Sequence, residues 1–239
     1  MDCRTCRGPV QAGFARCYQC DLAHGRFGEL LADAVVPVAY AVKGGQLAAD
    51  LWRYKSGQPG AAEAGARLRA MLSAFLHQNA SRVWGLAGMD GGPGLAAVVP
   101  SGQGRPGSHP LLGIVASCMD LPVVRLSAAR GGQPRGRGLG DGVAVGWLTV
   151  AGPVAGADVL LVDDTWVSGG SAQSAVAALK TAGARRVALI VLGRHIDPAD
   201  PRSAEFLRAL RARTAHAKSA QSAVRELSDL SSRNVLKVA

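Results

Sequence analysis

A parallel α/β sheet flanked by helices, with a small cysteine-rich unit ahead of it, is the fold class this sequence predicts. Two observations carry that expectation. From Val35 onward, short apolar runs suited to strands buried on both faces alternate with stretches of helical periodicity. Ahead of them, four of the five cysteines crowd into the first 20 residues.

Those cysteines, Cys3, Cys6, Cys17 and Cys20, are spaced C-x2-C-x10-C-x2-C. Two such pairs can each bite one tetrahedral ion, and a set of four thiolates favours zinc. Gly8 stands two residues past Cys6, where a knuckle turn would use a residue tolerant of positive φ. With few apolar residues besides Val10, Phe14 and Tyr18, residues 1–24 are expected to fold as a zinc ribbon around a structural metal. Disulfides or unliganded thiols are the alternative.

Residues 21–34 read as a linking helix, and 35–42 as a strand that Pro37 marks as an edge. Gly44-Gly45 turns into a helix over 46–54, closed by Tyr54-Lys55-Ser56-Gly57. A longer amphipathic helix over 61–78 carries Leu68, Leu72 and Phe75 on one face, and a glycine-rich loop over 85–94 leads to a strand over 95–99. At its carboxyl end the backbone amides of Ser101, Gly102 and Gly104 could form an anion-binding concavity, with Arg105 adding a fork of donors or facing solvent. A helix over 111–119 and a third parallel strand over 122–126 follow. Residues 129–142, rich in Gly and carrying Arg130, Arg135 and Arg137, could close over phosphates or serve as a linker. Trp147 falls in an expected strand over 143–150.

The densest signal lies next. Val159 to Val162 is an unbroken apolar run ending in two acids, Asp163 and Asp164. A turn of mostly small residues follows, Val167-Ser168-Gly169-Gly170-Ser171, and then a helix patterned by Ala175, Val176 and Leu179. In open α/β sheets ligands bind beyond the carboxyl ends of strands, and helix N-termini offer unpaired N–H groups to anions. The stretch reads as a phosphate cradle beside two acids, against the plainer reading of a strand–turn–helix corner. A strand over 186–192 succeeds it, with His195 and Asp197 at its end, then a basic helix over 199–215 and a tail over 216–239.

The order of apolar strand, two acids and small-residue turn resembles the 5-phosphoribosyl-1-pyrophosphate (PRPP) signature of type I phosphoribosyltransferases. Thr165 and Trp166 stand where that family usually has small aliphatics, and Ser168 and Ser171 replace its common threonines. The helix closing on Tyr-Lys-x-Gly and the amino-terminal cysteines are similar to the ComF-type branch, whose Arg-x-x-Asn segment this chain lacks. The resemblance implies a type I phosphoribosyltransferase-like sheet over 35–215. It also implies catalytic roles for Asp163 and Asp164 at the ribose, and a 5-phosphate held by Val167, Ser168, Gly169, Gly170 and Ser171. Ser101, Gly102, Arg105 and Lys55 would contact the pyrophosphate, and magnesium would accompany PRPP. ComF-type proteins are linked to DNA uptake in competence, so a second reading is a non-catalytic accessory protein that binds nucleic acid or partner proteins. No base-reading segment is recognisable between Val35 and Gly60, so the acceptor stays unassigned, as does oligomeric state.

Composition bounds these readings. A chain of 239 residues, 48% hydrophobic and 18% charged, can build one sizeable domain with a small appendage. Its net charge of +10 suits a polyanionic partner, whether a pyrophosphorylated sugar or nucleic acid, and equally a solvated basic surface. No segment approaches the roughly 20 apolar residues of a membrane span. The opening Met-Asp-Cys-Arg-Thr-Cys lacks the order of a secretory signal, so the expected location is cytoplasmic with reduced cysteines.

Overall fold

The computed structural model describes residues 2–101, 109–128 and 142–213. The chain divides into a unit ending at Asp197 and a second beginning at Pro198. In the second, a helix over 201–213 is entered at Asp200, whose carboxylate accepts from the Arg202 amide at 2.9 Å and pairs with its guanidinium.

In the first unit, α1 (Tyr18–Phe27) precedes β1 (Ala34–Val42), α2 (Gln46–Arg53), α3 (Ala61–Ala87) and β2 (Leu95–Val98). Next come α4 (Pro110–Cys118), β3 (Val123–Ala128), β4 (Leu148–Ala151), β5 (Asp158–Trp166), α5 (Gly170–Thr181) and β6 (Arg186–Ile196). Among the described residues six strands pair in the order β1-β6-β5-β2-β3-β4, parallel throughout except for the antiparallel β3–β4 pair. The predicted α/β class holds, and β1 is an edge, as its proline requires: Pro37 has no N–H to give a second neighbour.

Two cores sandwich the sheet. Leu51, Leu68, Leu72 and Leu111 from α2, α3 and α4 meet Leu160, Val162, Ile190 and Leu192 on one face. On the other, Ala175, Val176 and Leu179 of α5 meet Val159, Leu161, Leu189 and Val191, and the same core takes in Cys3, Cys6 and Cys20. Alternate residues of β5 thus serve opposite cores, and Val159 to Val162 are all fully buried. Asp50 of α2 accepts a bidentate pair from Arg67 of α3, at 2.6 and 2.9 Å. That contact fixes the helix end from which Tyr54 and Lys55 project.

Several boundaries differ from expectation, each through pairing or packing at a distance. The linking helix begins earlier, at Tyr18, and ends at Phe27, so that Ala34 is already strand. The expected glycine-rich loop over 85–94 starts late, because α3 continues to Ala87 before Gly88 caps it at φ 67°. Only Leu148–Ala151 of the expected strand over 143–150 is strand, and it runs antiparallel against β3; Trp147 is buried just before it. Parallel pairing carries β5 through Trp166 and β6 through Ile196, so both acids and His195 lie within strands. No described helix is long and apolar enough to cross a membrane.

Candidate functional site

The connection leaving β2 runs through α4 on one face toward β3, whereas that leaving β5 runs through α5 on the opposite face toward β6. Strand order therefore diverges between β2 and β5, and at such a switch point a crevice opens beyond the carboxyl ends of the strands. Here it is a cleft of about 860 Å³. Asp163, Asp164 and Thr165 of β5 line it with Val99, Pro100 and Ser101 after β2, Ser171 of α5 and His195 of β6. Lys43, Trp52, Lys55 and His109 complete its walls.

Asp164 is only 6% exposed and gathers three polar side chains. Its Oδ2 accepts from the Tyr54 hydroxyl at 2.5 Å and from Lys55 Nζ at 2.7 Å, and His109 Nε2 stands 3.8 Å away. His109 also caps α4, its Nδ1 accepting from the Leu111 amide at 3.2 Å. A neutral imidazole that accepts at Nδ1 carries its proton on Nε2, the nitrogen facing the carboxylate. Asp164 is thus a buried carboxyl group with a cation and two further polar groups aimed at it.

Asp163 differs. Its Oδ1 accepts from the Asp164 amide at 2.9 Å. Burial and then the neighbouring Asp164 carboxylate push its own carboxyl from the ordinary 3.8 up to about 8, against a smaller pull from Lys55. A folded-state value above the unfolded one means the folded chain holds a proton that the unfolded chain releases. Stability therefore declines as pH rises from about 4 to about 8. Asp163→Asn cannot ionise and should flatten that decline, exceeding wild type by ~1–3 kcal/mol at pH 8, since the open cleft lets water soften the burial. Urea denaturation at pH 5 and pH 8 checks this; parallel pH profiles for the two proteins would refute it.

The turn after β5 places Val167 in solvent and Gly169 at φ 85° as the N-cap of α5, and a helix N-terminus is where backbone N–H groups can serve an anion. The Ser174 hydroxyl donates to the Gly170 carbonyl and accepts from the Ala144 amide, both at 2.8 Å, fixing this helix end. Trp166 ends β5, is 2% exposed, and its indole covers the space a Gly169 side chain would need.

Asp163, Asp164, Ser101, Lys55 and Ser171 thus line one cleft, Val167 to Gly170 lead into Ser171 without lining it, and Gly102, Arg105 and the arginines over 130–137 lie outside the described residues. Sequence reasoning missed Tyr54 and His109 as partners of Asp164 and Trp52 as a wall of the cleft. The only local hints were an exposed-looking Trp next to the Tyr-Lys pair and a His-Pro at the start of a helix.

On the α5 face of the sheet, the four amino-terminal sulfurs lie within 4.8 Å of one another, and Cys6 Sγ is 3.9 Å from Cys17 Sγ. A tetrahedral zinc with Zn–S of about 2.3 Å requires S–S edges of about 3.8 Å, so the set fits such an ion. None of the four is in a disulfide. Cys3 and Cys6 form a knuckle closed by Cys3 N–H to the Gly8 carbonyl at 2.8 Å and Arg7 N–H to the Cys3 carbonyl at 2.9 Å. Cys17 and Cys20 flank the start of α1. The left-handed residue of the knuckle is Arg7, at φ 57°, and not Gly8 as expected.

The sequence matches no protein-family model and no curated protein. Among solved structures, phosphoribosylpyrophosphate synthetase from Mycobacterium smegmatis is 21% identical over 56% of this chain and 36% of its own, with a TM-score of 0.34. Adenine phosphoribosyltransferase from Leishmania tarentolae is 17% identical over 59% of this chain and 61% of its own, with a TM-score of 0.38. Purine phosphoribosyltransferase from Pyrococcus horikoshii is 15% identical over 56% of this chain and 86% of its own, with a TM-score of 0.33. The match spans less than two thirds of the first two proteins' length, and these likenesses concern the fold alone.

Proposed function

We propose that the cleft binds PRPP with magnesium and transfers its phosphoribosyl group to an acceptor, as a ComF-type member of the type I phosphoribosyltransferases. One observation carries this reading: the acid pair of β5 and the amino end of α5 meet at the switch-point cleft. A turn of small residues running into the start of a helix suits a 5-phosphate, and Asp163 and Asp164 suit the ribose hydroxyls.

Displacement at the anomeric carbon breaks its bond to the pyrophosphate oxygen, leaving positive charge on the sugar and negative charge on the departing group. Asp164, held in place by Lys55 and Tyr54, is the group to stabilise the sugar cation. Asp163, kept protonated at neutral pH, donates to a ribose hydroxyl without adding a second charge that would repel the phosphates. Lys55, with Ser101, Gly102 and Arg105, would meet the pyrophosphate, and magnesium bound to the ligand supplies further neutralisation of the leaving group. The indole of Trp52, 64% exposed on the cleft wall, offers a face to a planar acceptor. The four cysteines would hold a structural zinc.

Calorimetric titration tests the reading. PRPP should bind only with magnesium and quench Trp52 emission, and a single-stranded oligonucleotide should not compete. No magnesium-dependent response at millimolar PRPP would overturn it, and oligonucleotide binding in its place would favour the accessory role.

A further inference from the structure

Arg194 joins two features that the sequence keeps far apart. It lies on β6 directly beside Trp166 of β5 in the strand register. Its Nη1 donates to the carbonyls of Trp166 and Val167, each at 3.1 Å, and to that of His195 at 2.7 Å. Its Nη2 reaches Cys6 Sγ at 3.8 Å. One guanidinium therefore spans from the cysteine cluster to the last residue of β5 and the first residue of the 167–171 turn.

The cysteine unit closes over this guanidinium from its other side. A Cβ on Gly8 would stand 2.6 Å from Nη2 and 3.0 Å from Nε. Gly8 has ordinary negative φ, so its lack of a side chain serves the approach of Arg194 and no backbone requirement. The guanidinium is held too firmly to yield easily, with carbonyls on one side, a sulfur on another and Nε buried.

We propose that Arg194 is a positioning residue, a strut through which metal bound by Cys3, Cys6, Cys17 and Cys20 holds the 167–171 turn in place. Four thiolates around a divalent ion carry a net charge of −2, and a buried dianion attracts a cationic N–H donor. Donors behind the ligand atoms orient the ligands and tune the metal. Arginine's planar fork reaches the sulfur with Nη2 while Nη1 holds two consecutive carbonyls, a span that a point charge such as lysine cannot cover. Without metal no ion fixes Cys6 Sγ, so Nη2 loses a fixed acceptor and the turn loses one of the anchored ends that set Gly169 and the start of α5. The strut rests on geometry alone; its consequence for phosphate binding rests on the function proposed above.

The test uses the full chain loaded with zinc, and reads zinc affinity by chelator competition and amide exchange at 168–171, with residues 159–162 as the internal control. Arg194→Met should weaken zinc by ~10–100-fold and speed exchange in the turn several-fold while the control stays protected. Stripping zinc from wild type should speed the turn likewise, and stripping it from Arg194→Met should add nothing. Arg194→Lys should recover part of the zinc affinity without restoring the turn, and Gly8→Ala should displace the guanidinium with arginine still present. These two variants decide the matter if Arg194→Met does not fold. A turn indifferent to zinc in wild type, an equal response to zinc in Arg194→Met, or a chain that takes up no zinc would overturn the proposal. Failure of wild type to bind PRPP in either metal state refutes the enzyme reading and leaves the strut to be judged by exchange and zinc affinity.

Discussion

Asp164→Asn is expected to lower phosphoribosyl transfer by roughly 10²–10³-fold, the range seen when one preorganised charge-stabilising group is removed. Ligand affinity should fall less, because the negative charge matters most once the sugar becomes cationic. Placed at the rim of a solvated cleft, an acid could be neutralised with little effect on folding, but Asp164 is 6% exposed and balances Lys55. The amide removes the negative charge that the Lys55 ammonium and the Tyr54 hydroxyl both face. Removing one partner of a buried ion pair costs about 3–5 kcal/mol. Lys55 retains 26% side-chain exposure and can turn toward water, so ~1–3 kcal/mol is expected here. Single-turnover kinetics and urea denaturation on the same preparation separate the two effects. Transfer at the wild-type rate would remove Asp164 from the mechanism, and unchanged stability would mean that its ring of partners contributes nothing to the fold.

Gly169→Val should be the most damaging single change near the turn. At φ 85° the position favours glycine, and a left-handed conformation costs an ordinary L residue about 1–2 kcal/mol, more when β-branched. The new side chain would also drive into the Trp166 indole, which is packed in the core and has no room to retreat. Overpacking of that kind adds about 1–3 kcal/mol, so a total of ~2–5 kcal/mol is expected together with loss of PRPP binding. The near-ultraviolet circular dichroism of the buried indole should change as well. Gly169→Ala, meeting the same ring with one carbon, should lie between the two. A valine variant with wild-type midpoint and affinity would show that the turn does not adopt this conformation in solution.

Much of this was legible in the residues because it depends on local pattern. The apolar run at Val159 to Val162 announced a strand buried on both faces, and its burial is complete. Pro37 announced an edge, since a missing N–H has the same consequence in any context. The spacing of Cys3, Cys6, Cys17 and Cys20 announced one tetrahedral set, and the four sulfurs converge. The two acids and the small-residue turn were correctly ordered along the chain, because strand, turn and helix are contiguous.

What only the tertiary structure decided comes from contacts between segments distant in sequence. Tyr54 and Lys55 reach Asp164 across 110 and 109 residues, through a sheet order that brings the end of α2 to the end of β5. The apolar run stops at Val162, but pairing with β6 continues through Trp166 and draws its indole into the core. Gly8 suggested a turn, yet Arg7 takes the left-handed conformation and Gly8 makes room for Arg194, 186 positions later in the chain. A residue's own φ and polarity can be inferred from its neighbours in sequence, whereas the atom that will press against it is chosen by strand order and helix packing, which no local window contains.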